Sequence, residues 1–301
     1  MLGTSAASPD THRLTRPAAW LRAPGATEAR QGYCLVCGNT SVFDSWVAVT
    51  TDCKRNTFFC RYCGSVARNR QLARTILDLF PTRPASRSLA EFARRTRITL
   101  LHTCASGALH EALRGAPGYR VSEFYDGVLS GTDVNGVTCQ DLEATTFRDA
   151  TFDLVITEDV LEHVSDSERV CRELRRILRS GGYHVATLAV RWDQPRTVRR
   201  ARLVDGRVEH LLPAEYHGDP NRAEGALVFF DFGADVVERY LSLTGATDVL
   251  WSNGVTADEE GLAIFHNMVF VSHASRVSLN HLPRAQIPDD LQQPEALKFA
   301  T

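Results

Sequence analysis

The sequence predicts an α/β protein, a Rossmann-like, largely parallel sheet of seven strands wound with helices, with a small four-cysteine module in front. Three observations predict it. Residues 152–190 read as strand, helix and strand, in the length of one right-handed parallel crossover. Short apolar runs of the same kind recur from 98 to 272, with helical patterns between most of them. Ahead of them all stand Cys34, Cys37, Cys60 and Cys63, in the spacing C-x2-C-x22-C-x2-C.

Residues 1 to about 30 are rich in Ala, Pro, Thr and Arg without apolar periodicity, and read as a flexible leader that could dock around Trp20. The cysteine module follows over 31–68. Each close pair precedes a glycine, Gly38 or Gly64, which lets the chain turn tightly and aim backbone amides at the thiolates. Four thiolates satisfy a tetrahedral Zn2+ and leave no open position, so the expected metal is structural. Paired disulfides or a redox pair are the alternatives, and Cys53 is a spare ligand. Phe43 to Val49 and Thr57 to Phe59 read as short strands, giving a zinc-ribbon-like hairpin.

Residues 69–97 form linking helices: Asn69 to Phe80, stopped by Pro81, and Ser88 to Arg95. The main domain is expected over 98–274, with a tail at 275–301. Its first strand is Ile98 to Thr103. The turn Cys104-Ala105-Ser106-Gly107 is small enough for backbone to approach a ligand, and a helix starts near Ala108. Tyr119 to Phe124 is the second strand and places Glu123 near its carboxyl end, where an acid can accept both hydroxyls of a ribose; Asp126 is the substitute. A glycine-rich loop and a short strand at Val137 to Cys139 come next. The strand Phe152 to Ile156 is apolar enough to be buried on both faces and ends at Glu158 and Asp159. Val164, Val170, Leu174, Ile177 and Leu178 mark a helix, with Gly181-Gly182 as its left-handed stop. Residues 191–225 are polar, Arg-rich and interrupted by prolines, too long for an ordinary connection, and read as an insertion covering the site. Ala234 to Gly245 is expected as a helix, and Thr247 to Trp251 and Ile264 to Ser272 as the last strands.

Composition sets outer limits. A chain of 301 residues with 44% hydrophobic content can bury one large core, and a net charge of -2 excludes a globally basic nucleic-acid binder. Charge is uneven: Lys54 to Arg97 holds eleven Lys/Arg against two acids, which reads either as a solvated face or as a groove for an anionic partner. The first thirty residues lack the apolar core of a signal peptide, and no run approaches the roughly twenty apolar residues of a membrane span. A cytoplasmic location is expected.

The stretch FDLVITEDVLEHVSD, continued by ELRRILRSGG, resembles the central segment of class I S-adenosylmethionine-dependent methyltransferases: a strand, then LEHV, then a helix ending RVLKPGG. Ser180 stands where that family commonly has Pro. CRYCGSVARNRQLARTIL is similar to a segment preceding the catalytic domain in a subgroup, many of whose members are encoded beside glycan or natural-product pathways. In that subgroup the first strand reads roughly LHxAPE. Leu101 and His102 match it, whereas Cys104 to Gly107 depart from it and from the common GxGxG.

The resemblance implies S-adenosyl-L-methionine as cofactor, held by His102, Cys104, Ala105, Gly107, Glu123, Glu158 and Asp159. It also implies Asp141 and Leu142 beside the adenine; otherwise Asp141 merely caps a short turn. Methyl transfer is an in-line displacement, so positioning and removal of a proton from the nucleophile are the protein's tasks. A histidine titrates in the right range, and His217, in the dense motif Glu215 to Pro220, is the first candidate base, followed by His163 and Tyr216. Arg191, Arg196, Arg199 and Arg200 are available for an anionic part of the substrate. The leading expectation is methylation of a small molecule such as a sugar nucleotide or natural-product intermediate. The alternatives are an RNA base methyltransferase gripping phosphates with its Arg-rich helices, and a non-catalytic cofactor-binding scaffold.

Overall fold

The computed structural model describes residues 26–46, 55–219, 221–251 and 268–274. Trp20, Cys53, Pro220 and the 275–301 tail lie outside them. The chain opens with β1 (Ala26–Tyr33), β2 (Thr40–Trp46) and β3 (Phe59–Cys60), an antiparallel sheet in that order. The ribbon therefore starts at Ala26, inside the stretch expected as leader. The helices α1 (Ala67–Leu79) and α2 (Leu89–Arg95) follow, the second capped by the Ser88 side chain, which accepts from the Glu91 amide.

The main domain comprises β4 (Leu100–His102), α3 (Gly107–Leu113), β5 (Tyr119–Glu123), β6 (Asp133–Val134), β7 (Val137–Cys139), β8 (Phe152–Glu158), α4 (Ser167–Ile177) and β9 (Leu178–Thr187). Six short strands come next: β10 (Val198–Arg199), β11 (Ala201–Val204), β12 (Arg207–His210), β13 (Tyr216–Asp219), β14 (Arg222–Leu227) and β15 (Phe230–Asp231). The domain closes with α5 (Val236–Arg239), β16 (Ala246–Trp251) and β17 (Met268–His273).

Eight strands form the central sheet in the order β16-β17-β9-β8-β4-β5-β7-β6. The seven expected strands are present, and β6 is an additional short strand hairpinned onto β7. The pairs from β9 through β7 are parallel, while β17 runs antiparallel to both of its neighbours. Strand β8 is buried on both faces, as its apolar run requires. Leu154 and Ile156 join a core with Leu72, Ile76 and Leu109 from α1 and α3, and Val155 joins Val170, Leu174 and Ile177 from α4.

Several boundaries differ from the sequence reading: β3 is Phe59–Cys60 rather than Thr57 to Phe59, α1 starts at Ala67 rather than Asn69, and β4 is Leu100–His102 rather than Ile98 to Thr103. Helix α4 ends at Ile177, and β9 already includes Gly181 and Gly182. Gly181 does adopt φ 82°, and it is Gly182 that lets β9 pass close to β8: a Cβ there would lie 3.0 Å from the Arg179 carbonyl oxygen and 3.1 Å from those of Asp153 and Phe152. The helix expected over 234–245 is only the single turn α5 and a 3-10 turn at Leu241–Leu243.

The ribbon does not stand apart. Cys34, Val36, Phe43 and Cys60 share one core with α1, α2 and β4. The first two amides of α2, Leu89 and Ala90, donate to the carbonyls of Leu35 and Val36 in the first knuckle, satisfying groups that a helix start leaves open. Arg70 of α1 donates to the carbonyls of Phe58 (2.9 Å) and Ser65 (2.7 Å), with its guanidinium 4.3 Å from the Phe43 ring centre. Among the described residues, no helix is long and apolar enough to cross a membrane.

Candidate functional site

The strand order reverses between β4 and β8, and in sheets of this kind ligands bind beyond the carboxyl ends at that point. Strand β4 leads into 104–107, where Gly107 (φ 83°) opens α3, and a Cβ built on it would meet nothing within 4 Å. The turn therefore faces open space. Glu123, at the carboxyl end of β5, accepts from the Ala105 amide at 3.1 Å. Burial pushes its carboxyl up, while the amides of Ala105 and Phe124 and the Asn221 side chain pull it down. An acid and a small-residue turn thus meet across the ends of β4 and β5. Cys104 Sγ lies against Ser106, and burial followed by the charge of Glu158 pushes its thiol up to about 11.

Asp141 forms a local turn: its carboxylate accepts from the Glu143 amide at 2.8 Å, and its own amide donates to Ser130 Oγ at 2.7 Å. Leu142 is buried beside β8 and α4.

Three expected cofactor contacts are committed elsewhere. His102 is fully buried with both ring nitrogens engaged, Nε2 at 2.9 Å from Glu158 Oε1 and Nδ1 at 3.2 Å from the Tyr119 hydroxyl. It thereby orients Glu158 and Tyr119. Glu158 also accepts from Asn69 Nδ2 at 2.7 Å. Burial opposes its ionisation, but His102 and Arg68 outweigh burial and hold its carboxyl below the usual range. Asp159, in the left-handed region at φ 53°, pairs with Arg55 and, at 2.9 Å, with Arg68. Burial is again opposed and outweighed, first by Arg55 and then by Arg68, so this carboxyl is also lowered. Arg55 further donates to the Leu188 carbonyl at 3.1 Å. The ribbon and α1 thus grip the mouth of the crevice through Arg55, Arg68 and Asn69. The sequence does not single them out, since they sit in a basic run that reads either as a solvated face or as a groove for an anionic partner.

The insertion stays outside the central sheet. Its hairpin β13–β14 pairs Tyr216 with Leu227, His217 with Ala226 and Asp219 with Arg222, with a bulge between His217 and Asp219. Gly225 (φ 89°) is required there, because a Cβ would lie 2.2 Å from the His217 carbonyl oxygen. The hairpin is stitched to the turn after β8: Phe229 N donates to Glu162 O at 2.8 Å, and His163 Nδ1 to Leu227 O at 2.9 Å. Its other end reaches β5 through Arg222, which pairs with Asp126 (2.7 Å) and Asp219 (2.6 Å). Asp126, the alternative ribose acid, is thereby paired with Arg222. The hairpin spans from Glu162 to Glu123.

Beneath it, His163 and His217 stack edge to face with ring centres 5.0 Å apart. Burial lowers the pKa of His163, favouring neutral imidazole. Tyr216 lies on the opposite strand face from His217 and is half exposed. The arginines expected to hold an anion are partly committed. Arg200 pairs with Asp231 (2.7 Å) and Glu215 (3.1 Å), and Arg199 donates to Ser165 O and lies over Phe230.

In the ribbon, the Sγ atoms of Cys34, Cys37, Cys60 and Cys63 all lie within 4.8 Å of one another, with Cys34–Cys63 at 3.7 Å and Cys37–Cys60 at 3.9 Å. Sulfurs held tetrahedrally about 2.3 Å from a zinc ion stand about 3.8 Å apart, so this donor set fits that ion. The thiols are free, and these separations exclude disulfides of about 2.05 Å. Gly38 and Gly64 donate back to the carbonyls of Cys34 and Cys60, both at 2.8 Å, closing the two knuckles.

Residues 104–186 match the family model described as a methyltransferase domain. That segment runs from the end of β4 into β9, the part of the sheet that carries the crevice. Fold and match together support the reading of this region as a class I S-adenosylmethionine-dependent methyltransferase domain. Among solved structures, similarity is found to an S-adenosylmethionine-dependent methyltransferase from Mesorhizobium loti, at 15% identity over 58% of this chain and 90% of that one, with a TM-score of 0.37. One from Methanosarcina mazei gives 13%, 58%, 90% and 0.33. The 1,6-didemethyltoxoflavin-N1-methyltransferase of Burkholderia thailandensis gives 13%, 62%, 76% and 0.35. None of these likenesses is close enough to bear on substrate. No curated protein matches the chain.

Proposed function

We propose that the protein transfers the methyl group of S-adenosyl-L-methionine to a nucleophile on a small molecule, such as a sugar nucleotide or a natural-product intermediate. The observation that carries this reading is the half-buried Glu123 carboxylate, bonded to the Ala105 amide at the crevice mouth and overhung by the hairpin that bears His217. When bound, the cofactor supplies a methyl group on a sulfonium, open to in-line displacement. Glu123 would receive the ribose hydroxyls, 104–107 would lie along the methionine part, and Leu142 with Asp141 would flank the adenine.

The chain's own chemistry is positioning and proton removal. His163 has one nitrogen fixed by the Leu227 carbonyl, and His217 faces it, so proton transfer from the acceptor falls to this pair, with His217 the more accessible. The ribbon holds a structural zinc through its four cysteines and works in the cytoplasm, where free thiols persist. A small acceptor is favoured over RNA because the basic residues at the crevice mouth are spent inside the protein, Arg55 and Arg70 buried and Arg68 paired, while Arg61, Arg74, Arg83, Arg87, Arg94, Arg95 and Arg97 are exposed elsewhere along the run.

Titration calorimetry with S-adenosylmethionine tests the reading. Glu123→Ala should weaken binding by about 1.5–3 kcal/mol, the scale of hydrogen bonds to a charged group. Failure of the unaltered protein to bind would leave only a scaffold role.

A further inference from the structure

Glu162 makes its backbone contact with the hairpin, yet its side chain has no described partner. The residue is 1% exposed, and neither carboxylate oxygen has a hydrogen-bond partner. A buried carboxylate without partners is costly. The nearest described cations do not resolve it, since Arg55 and Arg68 are both bound to Asp159, and Asp159 adds a like charge nearby. What does face Glu162 is the histidine pair. One carboxylate oxygen and one nitrogen from each of His163 and His217 all lie within 4.8 Å of one another.

Resting on the methyltransferase reading of the crevice, we propose that Glu162, His163 and His217 form a second metal site, for a divalent first-row transition ion that would hold the acceptor. The donor types suit such an ion: two imidazoles and one carboxylate leave coordination positions open to an exogenous ligand. The Leu227 carbonyl can only accept, so His163 Nδ1 carries the proton and Nε2 presents its lone pair. That is the outer-shell arrangement found behind metal-binding histidines. Glu215, with Oε1 3.6 Å from His217 Nε2, offers a second carboxylate beside the other imidazole.

Ligand atoms about 2.1 Å from one ion stand about 3–3.4 Å apart, so closure requires the three to draw in by up to about 1.5 Å. His217 can supply that movement, because it is the exposed member and sits beside a bulge. The open positions would then take an acceptor with oxygen donors able to chelate. With the ion bound the imidazole lone pairs are occupied, so the ion rather than a free His217 lowers the acceptor hydroxyl's pKa and its proton leaves to solvent.

Binding of the metal alone decides this without reference to methyl transfer. Full-length protein with its cysteine site filled by zinc is titrated with Co2+, followed by visible absorption and by metal analysis after gel filtration. The expected result is one Co2+ per chain beyond the cysteine-bound ion, with affinity lowered at least about 100-fold in both Glu162→Gln and His217→Ala. Glu162→Gln keeps the shape of the buried side chain, and His217→Ala alters a partly exposed position, so at least one variant should remain folded by circular dichroism. Absence of a second ion at about 100 μM Co2+, or an ion retained in a folded variant, overturns the proposal. Loss of S-adenosylmethionine binding with the second ion intact would instead overturn the methyltransferase reading.

Discussion

Replacing Arg55 with Met tests whether the ribbon and the crevice form one energetic unit. Arg55 is buried, pairs with Asp159 and donates to the Leu188 carbonyl. Removing one partner of a buried ion pair costs about 3–5 kcal/mol because it leaves an uncompensated charge. Arg68 still contacts Asp159 at 2.9 Å, so the expected loss lies at the lower end, about 3 kcal/mol. The loss should depend on pH. The carboxyls of Asp159 and Glu158 are held below their ordinary values in the folded protein. They contribute stability that is full above the unfolded pKa of about 4 and is lost as pH falls toward the folded values. In Arg55→Met, burial acts on Asp159 with less opposition and its pKa rises. The gap between variant and parent should then be widest near pH 7 and narrow toward pH 4. Urea unfolding at pH 7, 5.5 and 4 measures it. A pH-independent difference below about 1 kcal/mol, the range of an exposed pair, would refute the coupling.

Other outcomes are expected at the two sites. Cys60→Ser should release the zinc, seen as loss of metal on elemental analysis. The same change should weaken S-adenosylmethionine binding, because the ribbon shares a core with α1, which carries Arg68 and Asn69. His217→Ala should lower turnover about 10²–10⁴-fold while cofactor affinity barely changes. Turnover within about twofold of the parent would remove His217 from the reaction.

What the sequence determined by itself follows from local rules. The apolar run at Phe152 to Ile156 could only be a strand buried on both faces, and the period of Val170, Leu174 and Ile177 could only turn one helical side toward it. The two cysteine knuckles were equally legible, because two residues between thiols followed by a glycine is a local geometry. Glu123 was readable because strand length alone places it at a carboxyl end.

The pairings across the chain were decided only by tertiary structure. Arg55 and Arg68 looked like solvated charge until folding set them against Asp159, about a hundred residues away in sequence. His102 resembled a ligand contact, but β8 and β5 enclose it between Glu158 and Tyr119. Tyr216 and His217 are neighbours in sequence, and strand alternation sends them to opposite faces. The meeting of Glu162, His163 and His217 depends on how β13–β14 folds back over the turn after β8, a long-range contact that no local pattern encodes.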